Sequence, residues 1–271
     1  MRAIVSFAAL CATGAAITAA ALMWWPGTPQ ITDRPETVAI PAGSYNYRPS
    51  GDFRIGTRSV DPPSEQRSAG TGFEIMKYPV SEAQYALCVA AEACNPTATT
   101  GQADAAQIDI SYVDATGFAR WYSKMTRQTW RLPTDDEWVR AAGDRYVDSG
   151  LGISANETDP SKRWLANYRQ MLTVRGDTDT EIHQRGHFGD NEFGVSDMAG
   201  NVWEWTESCF VNGQLSADGS EITEQTSYCG VRAVQGKHRA FIIDFVRDAK
   251  VGGCAAGIPP DYLGFRLVRE G

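Results

Sequence analysis

Short runs in which apolar and polar residues alternate lie near both ends of the chain. TVAIPAGSYNYR, GDFRIGT and FEIMKYPVS occupy residues 37–81, with glycine or proline in or beside each run. This period of two predicts short β-strands, and Pro79 is expected to end the third. The closing run YLGFRLVRE has the same pattern and predicts a last short strand.

Three amphipathic helices are predicted between residues 81 and 143. Two of them begin at a sequence typical of a capping box, in which two side chains satisfy backbone N–H groups reciprocally: Ser81 with Gln84, and Thr134 with Glu137. The middle helix follows Asp114, and Gly143 is expected to end the last one. The four apolar residues at helical spacing in the middle helix are Phe118, Trp121, Tyr122 and Met125. We expect these apolar faces to form core.

The periodicity fades after Gly143. The stretch 144–191 is polar and rich in Gly, Asn and Asp, so we expect irregular backbone there. Long irregular segments within a compact domain are usually functional or stabilised by an ion.

The N-terminal segment is expected to export the chain. No charged residue occurs from Ala3 to Trp25, a run about long enough to cross a bilayer. It is interpreted as an uncleaved signal anchor in the inner membrane, or as a signal peptide cleaved near Ala21. The domain prediction is therefore signal segment 1–25, Pro-rich spacer 26–37 and a globular domain 38–271, facing the periplasm.

The charge balance argues against nucleic-acid binding. The formal net charge is -8, and Lys and Arg form no run of five or more. A nucleic-acid footprint needs a basic patch that neutralises phosphates.

Five cysteines follow Cys11 of the apolar run, and an oxidising compartment favours disulfides between them. Proximity suggests Cys88 with Cys94, and Cys209 with Cys229 around a polar loop, although sequence alone does not fix connectivity. Cys254 is left over.

Several motifs occur in the order found in the formylglycine-generating (sulfatase-modifying factor) family. WRLPTDDEWVRAAGD, FGVSDMAGNVWEWTES and LGFRLVR carry the resemblance, and FRIGT and KYPVSEAQYALCV fit the family's opening. The chain therefore resembles this family over residues 38–269. The resemblance implies an α+β, modified C-type-lectin-like fold with short sheets, few helices and much irregular backbone.

The resemblance also implies bound calcium. Calcium takes six to eight oxygens, including backbone carbonyls. The positions matching the family's first set of ligands are Asp197, Gly200, Val202 and Glu204. An alternative is that Asp197 caps a turn and Glu204 pairs with an arginine. A second set matches less well: Asn167, Tyr168 and Phe188 fit, but the acidic ligand falls on Gly186.

The sequence departs from the family at the two cysteines that bind copper and carry out the oxidation. Phe241 and Val246 occupy those positions. Neither side chain can ligate copper, so formylglycine generation is not expected. Cys254 could act as a lone thiol, and His183, His187 and His238 could hold iron, but their spacing is not typical of ligands.

The segment around these two positions lines the substrate groove in the family. The polar candidates for that groove are His238, Arg239, Asp244, Arg247 and Asp248. The arginines could bind an anionic or carbonyl group of a ligand. Alternatively, they could form internal ion pairs with Asp244 and Asp248.

Three functions remain open on the sequence. The first is a periplasmic accessory or maturation factor that binds a partner protein or small ligand on a calcium-stabilised scaffold; the ending GGCAAGIPPDYLGFRLVRE resembles the nitrite-reductase accessory branch. The second is a metal-dependent oxidoreductase using residues other than a cysteine pair. The third is a carbohydrate-binding lectin, by analogy of fold alone.

Overall fold

The computed structural model describes residues 35–148, 150–154, 157–175, 181–252 and 262–270. The signal segment, most of the Pro-rich spacer and Cys254 lie outside these residues. The helices of the described part are α1 (Glu82–Ala90), α2 (Tyr112–Thr126), α3 (Asp135–Ala142), α4 (Pro160–Arg175) and α5 (Ala249–Gly252). Within the ranges described, no helix has the length and apolar character needed to cross a membrane.

Most strands are short, and two are long. The strands are β1 (Thr37–Ile40), β2 (Gly43–Tyr47), β3 (Asp52–Ile55), β4 (Arg58–Val60), β5 (Glu65–Ala69), β6 (Phe73–Met76), β7 (Trp130–Arg131), β8 (Trp203–Leu215), β9 (Ile222–Gln235), β10 (Arg239–Ile243), β11 (Leu263–Gly264) and β12 (Val268–Arg269). Helices and strands together form the expected α+β architecture.

The strands form three sheets. One has the order β1-β6-β12-β7, the largest has the order β10-β9-β8-β3-β4, and β2 pairs with β5. In the largest sheet β11 adds in parallel to the start of β8. The strand β10 therefore lies at an edge of this sheet, paired with β9 on one side only among the described strands.

The helix starts follow from local chemistry. The capping boxes at Ser81 and Thr134 are both formed, and Gly143 ends α3 with φ of +52°. The helix α2 begins earlier than predicted, because Ser111 and Asp114 form a third capping box. A carboxylate at the third helical position accepts the N-cap N–H just as Glu or Gln does.

The main core lies between α1, α2 and the largest sheet. Phe118 of α2 stacks on Tyr85 of α1 with ring centroids 5.8 Å apart, and meets Phe265 edge-on at 5.4 Å. All three side chains are almost completely buried. The predicted apolar faces therefore form core, except that Met125 is only partly buried.

Two expectations about irregular backbone were wrong. The stretch 144–191 contains α4, and most of the segment between Cys209 and Cys229 belongs to the long antiparallel strands β8 and β9. Both predicted disulfides are confirmed, Cys88–Cys94 at the end of α1 and Cys209–Cys229 across the β8–β9 pair.

Candidate partner-binding surface

Phe241 and Val246 stand where the resemblance places two copper-binding cysteines. Phe241 lies in the middle of β10, and its ring meets that of Phe210 edge-on at a centroid distance of 4.9 Å. Val246 packs against the main core, and its N–H donates to the Ile243 carbonyl at 3.1 Å. These two side chains are therefore hydrocarbon at positions where the resemblance implies sulfur.

The outer side of β10 presents backbone donors. The N–H of Asp244 donates to the Gly230 carbonyl at 3.0 Å, in register with the β9–β10 pairing. Residues in an antiparallel pair alternate between facing the partner strand and facing away from it. The alternate N–H groups point away from β9, and they belong to Arg239, Phe241 and Ile243.

Aromatic side chains lie on β10, just after it, and on the neighbouring strands β8 and β9. Phe210 is opposite Tyr228 in the β8–β9 register, and Phe245 is 71% exposed just beyond the end of β10. We call the surface formed by these residues the aromatic edge: Phe210, Tyr228, Phe241 and Phe245. Tyr228 and Phe245 are exposed, and Phe210 and Phe241 are half-buried. Exposed aromatic groups near a strand that pairs on one side only among the described strands are typical of a surface that binds another chain.

A cation–π pair lies behind the aromatic edge. The Arg232 guanidinium lies 4.2 Å from the centroid of the Tyr112 ring and donates to the Glu207 carbonyl at 2.7 Å. Burial raises the pKa of Tyr112, so its hydroxyl stays protonated. These contacts join α2 to β8 and β9, and they hold the strands that carry the aromatic edge in place.

Arg239 points inward and is not available to a ligand. It pairs with the fully buried Asp135, with N–O 2.9 Å, at the start of α3. Asp135 also accepts the Tyr47 hydroxyl at 2.7 Å and the Gln235 amide at 2.6 Å. Burial, and then the Asp135 charge, raise the pKa of Tyr47. Arg239 thus belongs to an internal polar network.

Arg247 forms a bidentate ion pair with Asp114, 133 residues earlier in the chain. Its Nε and a terminal nitrogen lie 2.7 and 2.8 Å from the two carboxylate oxygens. Burial alone would raise the pKa of Asp114, but hydrogen bonds from Arg247 and Ser111 outweigh that effect and lower the pKa. This pair ties the start of α2 to the segment after β10.

The alternative in which the arginines form internal ion pairs is the one observed, but not with Asp244 and Asp248. Ion pairs are present, but the acidic partners are Asp135 and Asp114, which lie on helix starts that the sheet brings close. Asp248 accepts the Lys250 N–H at the start of α5. His238 is buried, and its carbonyl accepts the Trp203 indole N–H at 3.0 Å.

Glu204 does not have the open oxygens that a calcium ion needs. Arg266 donates to both carboxylate oxygens, at 2.6 and 2.7 Å, and the Trp138 indole donates to one of them at 2.9 Å. Glu204 is 1% exposed and Arg266 is fully buried. The alternative in which Glu204 pairs with an arginine is the one observed.

The other residues of the first calcium set are also engaged within the protein. Both Asp197 oxygens accept backbone N–H groups, from Gly186 at 2.6 Å and Phe188 at 2.9 Å. The Gly200 carbonyl accepts the Val202 N–H at 2.8 Å. As arranged here, these residues do not fit a calcium ion, and calcium has no part in the proposals below.

The second calcium set is dispersed. Asn167 and Tyr168 lie on exposed turns of α4, where backbone carbonyls accept N–H groups four residues on. The Phe188 carbonyl faces a terminal nitrogen of Arg145 at 3.4 Å. These three residues do not fit a calcium site either, because the helix uses the carbonyl that the ion would require.

The three histidines do not converge. The rings of His183 and His187 stack at a centroid distance of 3.8 Å, and His238 meets Trp203. Across the residues that the structure describes, no group of three His, Cys, Asp or Glu side chains could hold a metal ion. A metal-dependent oxidoreductase would need ligands that these side chains do not assemble.

Comparison with known proteins shows which family the chain resembles. A family model, the Sulfatase-modifying factor enzyme 1-like domain, matches residues 26–271. A formylglycine-generating enzyme from Streptomyces coelicolor is 32% identical over 120 residues, which is 41% of this chain and 34% of that protein. The inactive C-alpha-formylglycine-generating enzyme 2 from Bos taurus is 25% identical over 166 residues, 59% of this chain and 49% of that protein. These alignments thus span a third to a half of the relatives' length.

The fold agrees with this placement. The solved structure of PvdO from Pseudomonas aeruginosa is similar with a TM-score of 0.55 and 20% identity, covering 87% of this chain and 94% of that chain. Because the family model matches nearly the whole chain, the protein belongs to the sulfatase-modifying factor enzyme 1-like family.

Proposed function

We propose that this protein is an exported, non-oxidising member of its family that binds an extended segment of a partner protein. The partner segment adds as a strand to the outer side of β10 and places its side chains on the aromatic edge. The observation that carries the proposal is Phe241, which stands at a cysteine position, contacts Phe210 and directs its backbone N–H away from the sheet.

Strand addition suits this edge for two reasons. Main-chain hydrogen bonds to an exposed strand supply affinity, and neighbouring side chains supply specificity. Phe241 lies within β10, and Phe245 follows in the turn just after the strand, where its ring is 71% exposed. Proteins usually shield such an edge with charge or proline, and β10 has neither beyond the inward-facing Arg239.

The proposed role is that of an accessory or maturation factor in the periplasm. Its support is the uncharged N-terminal run, which is typical of an export signal, and the two disulfides, which persist in oxidising compartments. A relative named as inactive is consistent with a family fold that is retained without the oxidation. Nitrite-reductase assembly is the specific process that the C-terminal motif suggests.

The test is site-specific photo-crosslinking of the full chain in its native cell. A photoreactive phenylalanine analogue replaces Phe245, and a matched control places it at Leu87, an exposed apolar residue of α1. We expect one defined partner to crosslink at position 245 and none at position 87.

A backbone variant distinguishes strand addition from non-specific hydrophobic binding. Ile243→Pro removes an outward N–H at an edge, where proline is tolerated, and Ile243→Val keeps that N–H. The proposal requires that the proline variant lose the crosslink while the valine variant keeps it. Equal crosslinking by both variants, with unchanged circular dichroism, would overturn it.

A further inference from the structure

The helix α4 carries an exposed apolar stripe. Trp164, Tyr168 and Leu172 are 67%, 43% and 52% exposed, and they recur every four residues along one face. The rings of Trp164 and Tyr168 stack in parallel with centroids 5.6 Å apart. None of the buried core clusters of the described residues includes a residue of α4. The stripe therefore has no partner within the described fold.

The orientation of α4 turns this stripe away from the body of the protein. A cleft of about 420 Å³ separates α4 from residues 147–148 and 150–153. On the helix side, the residues lining that cleft are Lys162, Leu165, Ala166, Arg169 and Gln170. Trp164, Tyr168 and Leu172 are absent from this lining, so they face outward.

The helix is also basic in an acidic protein. The sequence PSKRWLANYRQMLTVR contains four basic residues and no acidic one, whereas the whole chain has a formal net charge of -8. Lys162 pairs with Glu157 just before the helix and remains 61% exposed. A basic helix with Trp, Tyr and Leu on one face is typical of an element that lies at a membrane surface.

We infer that α4 docks on the surface of an anionic lipid bilayer, with Trp164 and Tyr168 at the level of the headgroups. Indole and phenol rings prefer that interface, and nearby cations are attracted to anionic headgroups. The uncharged run from Ala3 to Trp25 gives the same chain an apolar segment long enough to enter a bilayer. This run favours a membrane over an acidic protein as the occupant, and the inference is independent of the proposed partner.

The experiment uses the full chain reconstituted in phosphatidylcholine vesicles with and without phosphatidylglycerol. The emission of Trp164 is obtained by subtracting the spectrum of Trp164→Phe, which removes the signal of the other tryptophans. We expect acyl-chain-brominated lipid to quench this emission and the spectrum to shift to the blue when phosphatidylglycerol is present. Arg163→Gln, at a basic residue of α4 that does not line the cleft, should raise the amount of anionic lipid required, by roughly fivefold in affinity.

A control tryptophan tests whether exposure alone produces the signal. Phe245→Trp in the Trp164→Phe background places indole at an exposed site outside α4, and it should remain accessible to aqueous iodide. Iodide quenching of Trp164 that is unchanged by anionic vesicles would overturn the inference. Equal protection of Trp164 from iodide in vesicles without anionic lipid would also overturn it, because the docking would then not depend on anionic headgroups.

Discussion

Arg266 and Glu204 form a bidentate ion pair in the interior, with nitrogen–oxygen distances of 2.6 and 2.7 Å and side chains that are 0% and 1% exposed. Arg266 also donates to the Ser196 and Lys77 carbonyls at 3.0 and 2.9 Å. The pair thus joins the start of β8 to the segment between β11 and β12 and to the residue that follows β6. A guanidinium holds the carboxylate where the family resemblance implied a calcium ion.

Glu204→Gln should strongly destabilise the fold, because it leaves the Arg266 charge buried without a counter-charge. Removing one partner of a buried pair costs about 3–5 kcal/mol. The measurement is urea unfolding followed by circular dichroism. The matched control is Glu224→Gln on the exposed part of β9, which should change stability by less than about 0.5 kcal/mol. Equal, small effects of the two variants would contradict the ion-pair assignment.

Calcium should not change the melting temperature. The oxygens of Glu204 and Asp197 are already used by Arg266 and by backbone N–H groups, so a bound ion would have to displace them. The measurement compares the Tm of the full chain after chelation with EGTA and after addition of millimolar calcium. A ligand that binds only the folded state raises Tm with its concentration. A calcium-dependent rise in Tm would therefore restore the calcium prediction.

Local patterns predicted much of the fold. The capping boxes at Ser81 and Thr134 depend on residues three apart, and sequence contains that information completely. The helix α4 was missed, although Trp164, Tyr168 and Leu172 recur at helical spacing, because the polar residues around them favoured an irregular segment. The long strands β8 and β9 were also missed, since their outer faces are polar and solvated.

The candidate site was harder to predict than the fold. The motif order was enough to predict that Phe241 and Val246 stand at the family's cysteine positions. Sequence patterns could not predict the two ion pairs of the site, Arg247 with Asp114 and Arg239 with Asp135. The partners are more than 100 residues apart, and no local spacing relates them. The three-residue spacing of Ser111 and Asp114 was the one available signal that this carboxylate is held at a helix start.

The protein should not convert a sulfatase-type cysteine peptide to formylglycine, even with copper(I) and oxygen supplied. Phe241 and Val246 provide no ligand for copper at the positions where the family has thiolates. Mass spectrometry of the peptide is the measurement, with the Streptomyces coelicolor enzyme as the positive control. A formylglycine product would show that other residues carry the oxidation, and it would favour the oxidoreductase alternative.

The ion pair between Asp114 and Arg247 should make stability depend on pH in the acidic range. The pKa of Asp114 is lowered in the folded state, so its contribution is complete above the unfolded value of about 3.9 and is lost as pH falls through the folded value. Asp114→Asn should thus cost stability at neutral pH and progressively less in acid. Urea unfolding across this range measures the difference. Asp244→Asn is the control, because no ion pair is assigned to it, and an identical pH profile for both variants would contradict the assignment.

The two disulfides should contribute unequally. In the chain-entropy account, stabilisation grows with the length of the closed loop. Cys209 and Cys229 are 20 residues apart and Cys88 and Cys94 are 6 apart, which corresponds to about 3 and about 2 kcal/mol at 25 °C. The comparison is between two double variants, one with both cysteines of each pair replaced by serine, and the free energy of unfolding is measured in urea. The Cys209–Cys229 disulfide also joins the strands that carry Phe210 and Tyr228, so removing this disulfide should weaken crosslinking at position 245 as well. A larger loss of stability from the Cys88–Cys94 pair would mean that local strain or denatured-state structure outweighs loop entropy here.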